Sequence, residues 1–319
     1  MDEPQKKSNH FICPSTRKLF NESRANKKHS IGDFIHGYIY GRWIYLYISV
    51  GKGRHPLTKI LKPFFRIATS ILPKPKVDAH NPSAGNKTKI TFADGYHGKV
   101  MPLEKASKLV TIDKPLNMPD LEQVIPYKRA RDIILKNPDH IAALKCPCRA
   151  AHEKPCQPED VCLIVGEPFS SFIVEHHPDK ARWINQQEAV AIMEAEAERG
   201  HVHHAFFKDA MLDRFYAICN CCSCCCGAIN AHRNGTPMLA SSGYVSEVDQ
   251  ELCIGCGVCS EFCQFDAITM EDGLSSVDFE KCMGCGVCAS KCEQEAIQFR
   301  LEPAKGEPLD ICALQGEKG

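Results

Sequence analysis

One cysteine pattern occurs twice near the C-terminus, at an offset of 29 residues, and it restricts the fold of this chain more than any other feature. CIGCGVCSEFC, residues 253–263, recurs as CMGCGVCASKC, residues 282–292. The flanking residues recur as well, because Val248-Asp249 is repeated as Val277-Asp278. The duplication is therefore internal to the chain and extends beyond the cysteines.

The spacing C-x2-C-x2-C-x3-C suits a 4Fe-4S cluster. Three thiolates on one tight loop can reach three irons of the cube, and the glycines between them let the backbone curl around the sulfides. Backbone N–H groups exposed by that curl can donate to the cluster sulfurs. The pattern therefore predicts two clusters, with structural zinc as the alternative for a four-cysteine motif.

Residues 245–300 resemble the bacterial two-cluster ferredoxins. The resemblance implies a small pseudo-twofold α+β domain in which the fourth cysteine of each repeat binds the cluster of the other repeat. It assigns one cluster to Cys253, Cys256, Cys259 and Cys292, and the other to Cys282, Cys285, Cys288 and Cys263. Gln264 and Glu293 stand where the family usually has proline, which alters the local turn but removes no ligand.

Ten more cysteines lie upstream in two stretches, KCPCRAAHEKPCQPEDVC and ICNCCSCCCG. They are Cys146, Cys148, Cys156 and Cys162, followed by Cys219, Cys221, Cys222, Cys224, Cys225 and Cys226. A cube has four irons that need terminal ligands, and adjacent cysteines in an extended segment point in opposite directions. We therefore expect one or two further 4Fe-4S clusters upstream. In the two-cluster arrangement the second stretch supplies ligands to both clusters together with the first, and two of the ten thiols are left over.

The first of these stretches also fits a single tetrahedral zinc ion, and spacing alone does not decide between zinc and a cluster. Arg149 follows Cys148 directly, so it is expected either to donate to a cluster sulfide or to support the loop.

Over residues 95–300 the combined pattern resembles a group of 4Fe-4S binding proteins of anaerobic microbes, which implies a cofactor class and no substrate. Cys225-Cys226-Gly227 resembles the element that holds non-cubane clusters in heterodisulfide reductases, without its long flanking spacing or second copy.

The N-terminal part is basic. Residues 1–90 contain 17 Lys and Arg against 5 Asp and Glu, whereas the remainder contains 22 against 34.

Residues 1–32 are predicted to form a mobile polar tail, and residues 33–76 an aromatic and basic amphipathic anchor. Residues 34–76 of this anchor are expected to contact an anionic membrane surface or a membrane complex. The alternative is that the anchor packs on the protein's own core or on a partner subunit. Residues 77–97 are expected to be a linker, and 301–319 a tail.

Between them, residues 98–244 are expected to form a cysteine-rich iron-sulfur domain. A helix is predicted for YKRARDIILK after Pro126, and another for QQEAVAIMEAEAER with Asn185 as its N-cap. VCLIVG and SFIVEH are predicted to be buried strands. His201, His203 and His204 are interpreted as a surface turn, with metal binding as the alternative. The predicted fold class is α+β: a cysteine-rich α/β body, a ferredoxin-like two-cluster domain, and a basic amphipathic N-terminal extension.

Three functions are consistent with these patterns. The first is an electron-transfer protein, or such a subunit of an oxidoreductase complex, that connects a soluble redox donor to a membrane-associated or complex-bound acceptor. The second is an iron-sulfur reductase with its active site at 219–226. The third is a redox-sensing binding protein, although the spread of basic residues through an apolar anchor disfavours nucleic acid as a partner.

The N-terminus lacks the apolar core and cleavage site of a secretion signal. A reducing cytoplasm is therefore expected, with peripheral attachment to the inner face of the membrane.

Overall fold

The computed structural model describes residues 12–26, 29–56, 58 and 91–314, and it shows a mixed fold of helices and a curled sheet. The predicted tail before residue 12, most of the segment 57–76 and the first part of the linker lie outside the described residues. The helices are α1 Pro14–Ala25, α2 Ile31–Arg42, α3 Ile44–Gly51, α4 Phe92–Gly95, α5 Leu103–Val110, α6 Pro147–Ala150, α7 Phe169–His176, α8 Gln186–Glu198, α9 Gly227–Arg233, α10 Val258–Phe262, α11 Val287–Ser290 and α12 Ile311–Leu314. A short 3-10 helix covers Pro303–Lys305.

The strands form one large sheet and two small ones. They are β1 Tyr96–Met101, β2 Leu116–Met118, β3 Ile133–Leu144, β4 Cys162–Glu167, β5 Ala181–Ile184, β6 Val202–Lys208, β7 Arg214–Cys221, β8 Leu239–Ala240, β9 Tyr244–Val248, β10 Ile268–Glu271, β11 Leu274–Val277 and β12 Ile297–Leu301. The large sheet has the order β2-β3-β4-β7-β6-β1-β8, and β5 pairs with β3. Among the described strands of this sheet, only β1 and β8 pair in parallel.

Two central strands carry ligand candidates into the middle of the sheet. Cys162, the first residue of β4, lies opposite Cys219 near the end of β7. On the other side of β7, Val202 of β6 lies opposite Cys221. Antiparallel pairing therefore brings the two cysteine stretches together, although they are far apart in the chain.

The helix predicted for YKRARDIILK is wrong, because its C-terminal half is the start of β3. Ile133 and Leu135 are buried while Lys136 is exposed, which is the alternation of a strand with one covered face. The register against β4 shifts between Lys136 and Ile141, where Asn137 has a positive φ of 50°. The bulge also accommodates Pro138 within the strand.

SFIVEH is also not a strand, since it lies in α7. Phe169, Phe172 and Ile173 are buried at the i, i+3 and i+4 spacing of a helix, and this periodicity determines the element. The other two predictions for this region are confirmed. VCLIVG forms β4, and α8 begins after Asn185, whose side chain accepts a hydrogen bond from the Glu188 backbone N–H.

The N-terminal helices pack on the body. Within the predicted mobile tail, α1 buries Leu19, and its Glu22 carboxylate lies 3.1 Å from the Arg214 guanidinium. In the aromatic segment, Tyr40 and Ile44 belong to the core. For these residues the structure agrees with the alternative interpretation of the anchor, in which it packs on the protein's own core. No helix among residues 12–26, 29–56, 58 and 91–314 combines the length and apolarity that crossing a membrane requires.

The C-terminal region holds the two small sheets. In one, β9 pairs with β12; in the other, β10 pairs with β11. Beyond β12 the expected tail returns to the body, because Leu309 and Ile311 are buried in the core and Asp310 lies 2.5 Å from Lys105.

Candidate metal centres

Each C-terminal repeat places its first two cysteines in a loop before a short helix, α10 or α11, its third cysteine within that helix and its fourth after it. Gly255 and Gly284, equivalent residues of the repeats, have φ values of 70° and 62°. A Cβ at Gly255 would lie 2.0 Å from the Gly273 carbonyl oxygen, and one at Gly284 would lie 2.1 Å from that of Tyr244. Both glycines are therefore required by the backbone conformation and by the close approach of another backbone segment.

Four cysteines line one cavity at the surface of this region. We call Cys253, Cys256, Cys259 and Cys292 the exposed set. Cys256 is exposed, and its neighbour Ile254 is 67% exposed. Backbone N–H groups of Ser275 and Gly255 lower the pKa of the Cys253 thiol, which favours the thiolate that a metal binds.

The remaining C-terminal cysteines lie deeper. We call Cys263, Cys282, Cys285 and Cys288 the packed set. Burial, together with the nearby thiols of Cys282 and Cys263, raises the pKa of Cys288 to about 11. The fourth cysteine of the first repeat, Cys263, therefore lies close to cysteines of the second repeat. The Ala267 backbone N–H donates to Cys263 Sγ at 3.2 Å, as donors around iron-sulfur ligands do.

The repeats also exchange hydrogen bonds. Cys259 Sγ lies 3.1 Å from Ser275 Oγ, and Cys288 Sγ lies 3.1 Å from Ser246 Oγ. Each pair joins the third cysteine of one repeat to a serine of the other. Ser246 and Ser275 are separated by the same 29 residues as the cysteines, so the two contacts are reciprocal.

Upstream, eight cysteines line one cavity, and six of them lie outside the tighter cluster described next. This six-thiol group consists of Cys146, Cys148, Cys162, Cys219, Cys221 and Cys226. Cys162 and Cys219 are held by β4 and β7, while Cys146 and Cys148 are held by the turn at α6. Interactions with the thiols of Cys146 and Cys219 lower the pKa of Cys162 to about 5, against the effect of burial.

The other four upstream thiols form a tighter cluster, and two of them, Cys222 and Cys225, also line that cavity. This four-thiol group consists of Cys156, Cys222, Cys224 and Cys225, whose Sγ atoms all lie within 4.8 Å of one another. Cys224 is exposed and Cys225 is buried. Burial, together with the Cys156 thiol, raises the pKa of Cys224 to about 11. The stretch 219–226 thus contributes three cysteines to each group; that each group binds its own metal centre stays a prediction.

Arg149 connects the segments that carry these cysteines. Its side chain is 1% exposed, and it pairs with the equally buried carboxylate of Glu196 on α8. It also donates to the backbone carbonyls of Pro158 and Asn220. These contacts tie the 146–148 turn to the 156–162 loop and to β7, which is the loop-supporting alternative considered for this arginine.

Gln264, which replaces the family's proline, connects the C-terminal region to the four-thiol group. Its Oε1 accepts a hydrogen bond from the Ser223 backbone N–H at 2.7 Å, and its Nε2 donates to the Gly200 carbonyl at 3.0 Å. Arg233 donates to the Gln264 carbonyl at 2.9 Å and so reinforces the same junction. The departure from the family pattern therefore gives the chain an additional contact between its two cysteine-bearing parts.

The histidines predicted to form a surface turn lie elsewhere. His203 and His204 are buried in β6, which is covered by strands on both sides, and this corrects the prediction. His201 Nδ1 lies 2.6 Å from Glu196 Oε2, and His203 Nδ1 lies 2.7 Å from Asn220 Oδ1. Among the described residues, no histidine belongs to a group of ligand atoms close enough to hold a metal.

The cysteine patterns give no indication of several other residues beside the six-thiol group. Tyr40, Tyr96 and Tyr216 line the same cavity, and the Tyr40 and Tyr216 hydroxyls are 2.8 Å apart. Lys208 lies over the Tyr96 ring at 4.7 Å, and burial lowers its pKa to about 8. Lys52, in the predicted anchor, donates to the carbonyls of Cys148 and Cys225. In the sequence, only the aromatic composition of residues 34–50 indicates that the N-terminal segment could contribute side chains to this cavity.

A comparison with protein-family models finds the 4Fe-4S binding domain at residues 246–269 and 276–298. No curated protein and no solved structure matches the chain. The donor set fits the cofactor, since the region supplies eight cysteine thiols and backbone N–H groups are directed at the sulfurs of Cys253 and Cys263. The C-terminal region is therefore a ferredoxin-like 4Fe-4S binding domain.

Proposed function

We propose that this protein is a multi-cluster electron-transfer protein, or such a subunit of an oxidoreductase complex. In this proposal the exposed set and the packed set each hold one 4Fe-4S cluster in a pseudo-twofold domain, and the six-thiol group holds a further cluster. Such clusters, when bound, accept and donate single electrons.

The observation that carries the proposal is the order of the cysteine sets. Cys256 of the exposed set reaches the surface, whereas Cys282 of the packed set belongs to the same hydrophobic core as Cys146 and Cys162 of the six-thiol group. The packed set and the six-thiol group therefore share one hydrophobic core, whereas the exposed set reaches solvent. An apolar surrounding excludes water and makes the cofactor potential sensitive to nearby hydrogen bonds.

Charge favours a basic electron partner at the exposed set. Residues 245–300 contain 11 Asp and Glu against 3 Lys and Arg. Acidic surfaces of this kind accelerate encounter with a basic patch on a partner, and the effect weakens as salt increases. A soluble redox protein with a basic docking face is thus the expected donor.

The first test is composition. Two clusters carry about eight irons and eight sulfides, so a larger anaerobically measured content would place clusters upstream as well. A redox titration followed by electron paramagnetic resonance should then resolve one signal per cluster. A preparation with bound metal and no acid-labile sulfide would contradict the proposal.

The second test is directional. Glu251 is an exposed acidic residue beside the exposed set. Glu251→Lys should slow reduction by a basic redox protein several-fold at low salt and weaken its salt dependence, while leaving reduction by a small neutral dye unchanged. Glu194→Lys, on the exposed face of α8, is the matched control, and an equal effect of the two variants would argue against docking at this face.

The acceptor side is proposed to be a membrane surface or membrane complex reached through residues 34–76. Ile31, Ile35 and Ile39 of α2 are 58%, 50% and 41% exposed at i, i+4 and i+8. This apolar row continues into Trp43 and supports an interfacial contact. Co-sedimentation with anionic liposomes should fall when Ile35 and Ile39 are changed to Ser; unchanged binding, or none by the parent protein, would oppose it.

A second candidate function is a reductase with its active site at the six-thiol group. The observation in its favour is that eight cysteines, including the whole six-thiol group, line one cavity together with three tyrosines, whereas one cube needs four ligands. Lys208 and the tyrosine hydroxyls beside it could supply protons during reduction. Addition of a disulfide substrate should then change one cluster signal, and an identical spectrum with and without it would disfavour catalysis.

A further inference from the structure

The four-thiol group has shorter sulfur distances than a cluster requires. Cys156 Sγ lies 2.9 Å from Cys224 Sγ and 3.7 Å from Cys225 Sγ. Cys224 Sγ and Cys225 Sγ are 3.6 Å apart, and with Cys222 Sγ all four atoms lie within 4.8 Å.

These distances can be compared with the two kinds of thiolate site. When one ion is bound tetrahedrally with metal–sulfur bonds of about 2.3 Å, the sulfurs stand about 3.8 Å apart, since the edge of a tetrahedron is about 1.6 times its centre-to-vertex distance. In a 4Fe-4S cube each terminal sulfur binds a different iron, so the four sulfurs are spread further. The observed spacing fits one ion.

We propose that the four-thiol group binds a single tetrahedral iron or zinc ion. The proposal goes beyond the electron-transfer function and does not depend on it, because the C-terminal sets and the six-thiol group contain other cysteines. Four thiolates are the donor set that these two thiophilic ions share.

The local backbone is arranged for such a site. The turn at 222–225 supplies three of the four thiols, and it is closed by the Cys226 backbone N–H, which donates to the Cys222 carbonyl at 3.0 Å. The Cys156 backbone N–H is directed at Cys225 Sγ. N–H donors to sulfur stabilise metal-bound thiolates, and Gln264 fixes the turn from outside through Ser223.

The assignment places each of the ten upstream thiols in one of the two groups. The six-thiol group has no exposed member, whereas the four-thiol group has one, Cys224, through which an ion can enter from solvent. If two cubes are assumed, two of the ten thiols are left over. In the present assignment the two surplus thiols belong to the six-thiol group, because one cube binds four of its six members.

The test compares metal and sulfide in anaerobically prepared full-length protein. Cys156→Ala and Cys224→Ala should each lose one iron or one zinc per chain and no acid-labile sulfide. Cys13→Ala, which lies outside all four cysteine sets, is the control and should lose neither. Loss of about four irons with four sulfides would show a cluster instead, and unchanged metal would show free thiols or a disulfide; either result overturns the proposal.

A second measurement needs no variant and covers the case in which both alanine variants fail to fold. Cubane clusters contain equal amounts of iron and sulfide, so in the parent protein a single extra ion should appear as one equivalent of iron plus zinc in excess of sulfide. If the ion is zinc, X-ray absorption at its edge should show four sulfurs at about 2.3 Å and no neighbouring metal. Equal metal and sulfide would refute the single ion. Absence of all sulfide would instead refute the electron-transfer proposal.

Discussion

Replacement of Arg149 by Met tests whether this arginine holds the upstream cysteine segments together. The side chain is buried, pairs with Glu196 and donates to two backbone carbonyls, so the substitution removes the buried cationic partner of this carboxylate and leaves it only His201 and the more exposed Arg199. Breaking a buried ion pair from one side costs about 3–5 kcal/mol. At about 2–4 °C per kcal/mol for a chain of this size, the midpoint of thermal unfolding should fall by about 6–20 °C.

The assay is thermal unfolding of the metal-loaded protein under anaerobic conditions, followed by circular dichroism at one scan rate. A fixed scan rate is needed because multi-cluster proteins unfold irreversibly and the midpoint then depends on it. Metal content is measured on the same samples, since looser ligand segments should also lose metal upstream before they lose it from the C-terminal sets.

The control is the double variant Arg149→Met/Glu196→Met. It removes both charges and replaces them with apolar side chains of similar length, so it should be closer to the parent protein than Arg149→Met alone. The ion pair does not organise the site if the single variant unfolds at the same temperature as the parent protein. The same conclusion follows if the second substitution lowers the unfolding midpoint as much again as the first. A shift of cluster potential with unchanged stability would indicate donation to a sulfide instead.

Three further predictions concern single residues. Burial lowers the pKa of Lys99 from its ordinary 10.5 to about 7, so the unfolded chain binds more protons between these values and stability should rise with pH across this window. Lys99→Met should lack that rise, whereas the surface control Lys114→Met should keep it; parallel unfolding temperatures from pH 7 to 10 would contradict this. Gly284→Ala should lose C-terminal iron. Its control, Gly257→Ala, has a similar positive φ of 77° but nothing near its Cβ, so it should lower the free energy of unfolding by only about 1–2 kcal/mol. Equal iron contents of the two variants would show that the clash at Gly284 is relieved. Gln264→Pro should retain C-terminal iron but lower unfolding stability by about 1–3 kcal/mol, because two hydrogen bonds to the body are lost, and an unchanged midpoint would rule out this role.

How much of the site could be predicted differs between the two cysteine-bearing parts. In the C-terminal repeats the ligands are close in sequence, so a tight loop with glycines at fixed positions is enough to indicate the chemistry. Upstream, the sulfurs meet only because β4 pairs with β7 and because the turn at α6 packs beside them. Long-range pairing of this kind produces no characteristic cysteine spacing within a short segment. The division into six and four thiols could therefore not be derived from residues 219–226 alone.

The same distinction explains the errors in the fold. The prediction for α8 is confirmed because Asn185 provides a local cap, whereas the helix predicted over the start of β3 is wrong because the burial alternation of this strand depends on neighbours that are distant in the chain. The predicted mobile tail contains α1 for a similar reason. Its apolar residues are few, and Leu19 is buried only because the body offers a surface for it. Tertiary contacts overrode the local signal in both elements.

The N-terminal aromatic segment then has two faces with different consequences. One face enters the body: Tyr40 contacts Tyr216 beside the six-thiol group, and Lys52 donates to carbonyls in both upstream cysteine stretches. The other face leaves Ile35 and Ile39 in solvent. Because one short pair of helices carries both faces, a surface that binds the isoleucines would also act on the position of Tyr40 and Lys52. Attachment to a membrane or a complex would therefore be coupled to the six-thiol group through direct contacts, and the liposome-binding variants should be examined for changes in upstream cluster signals as well as for binding.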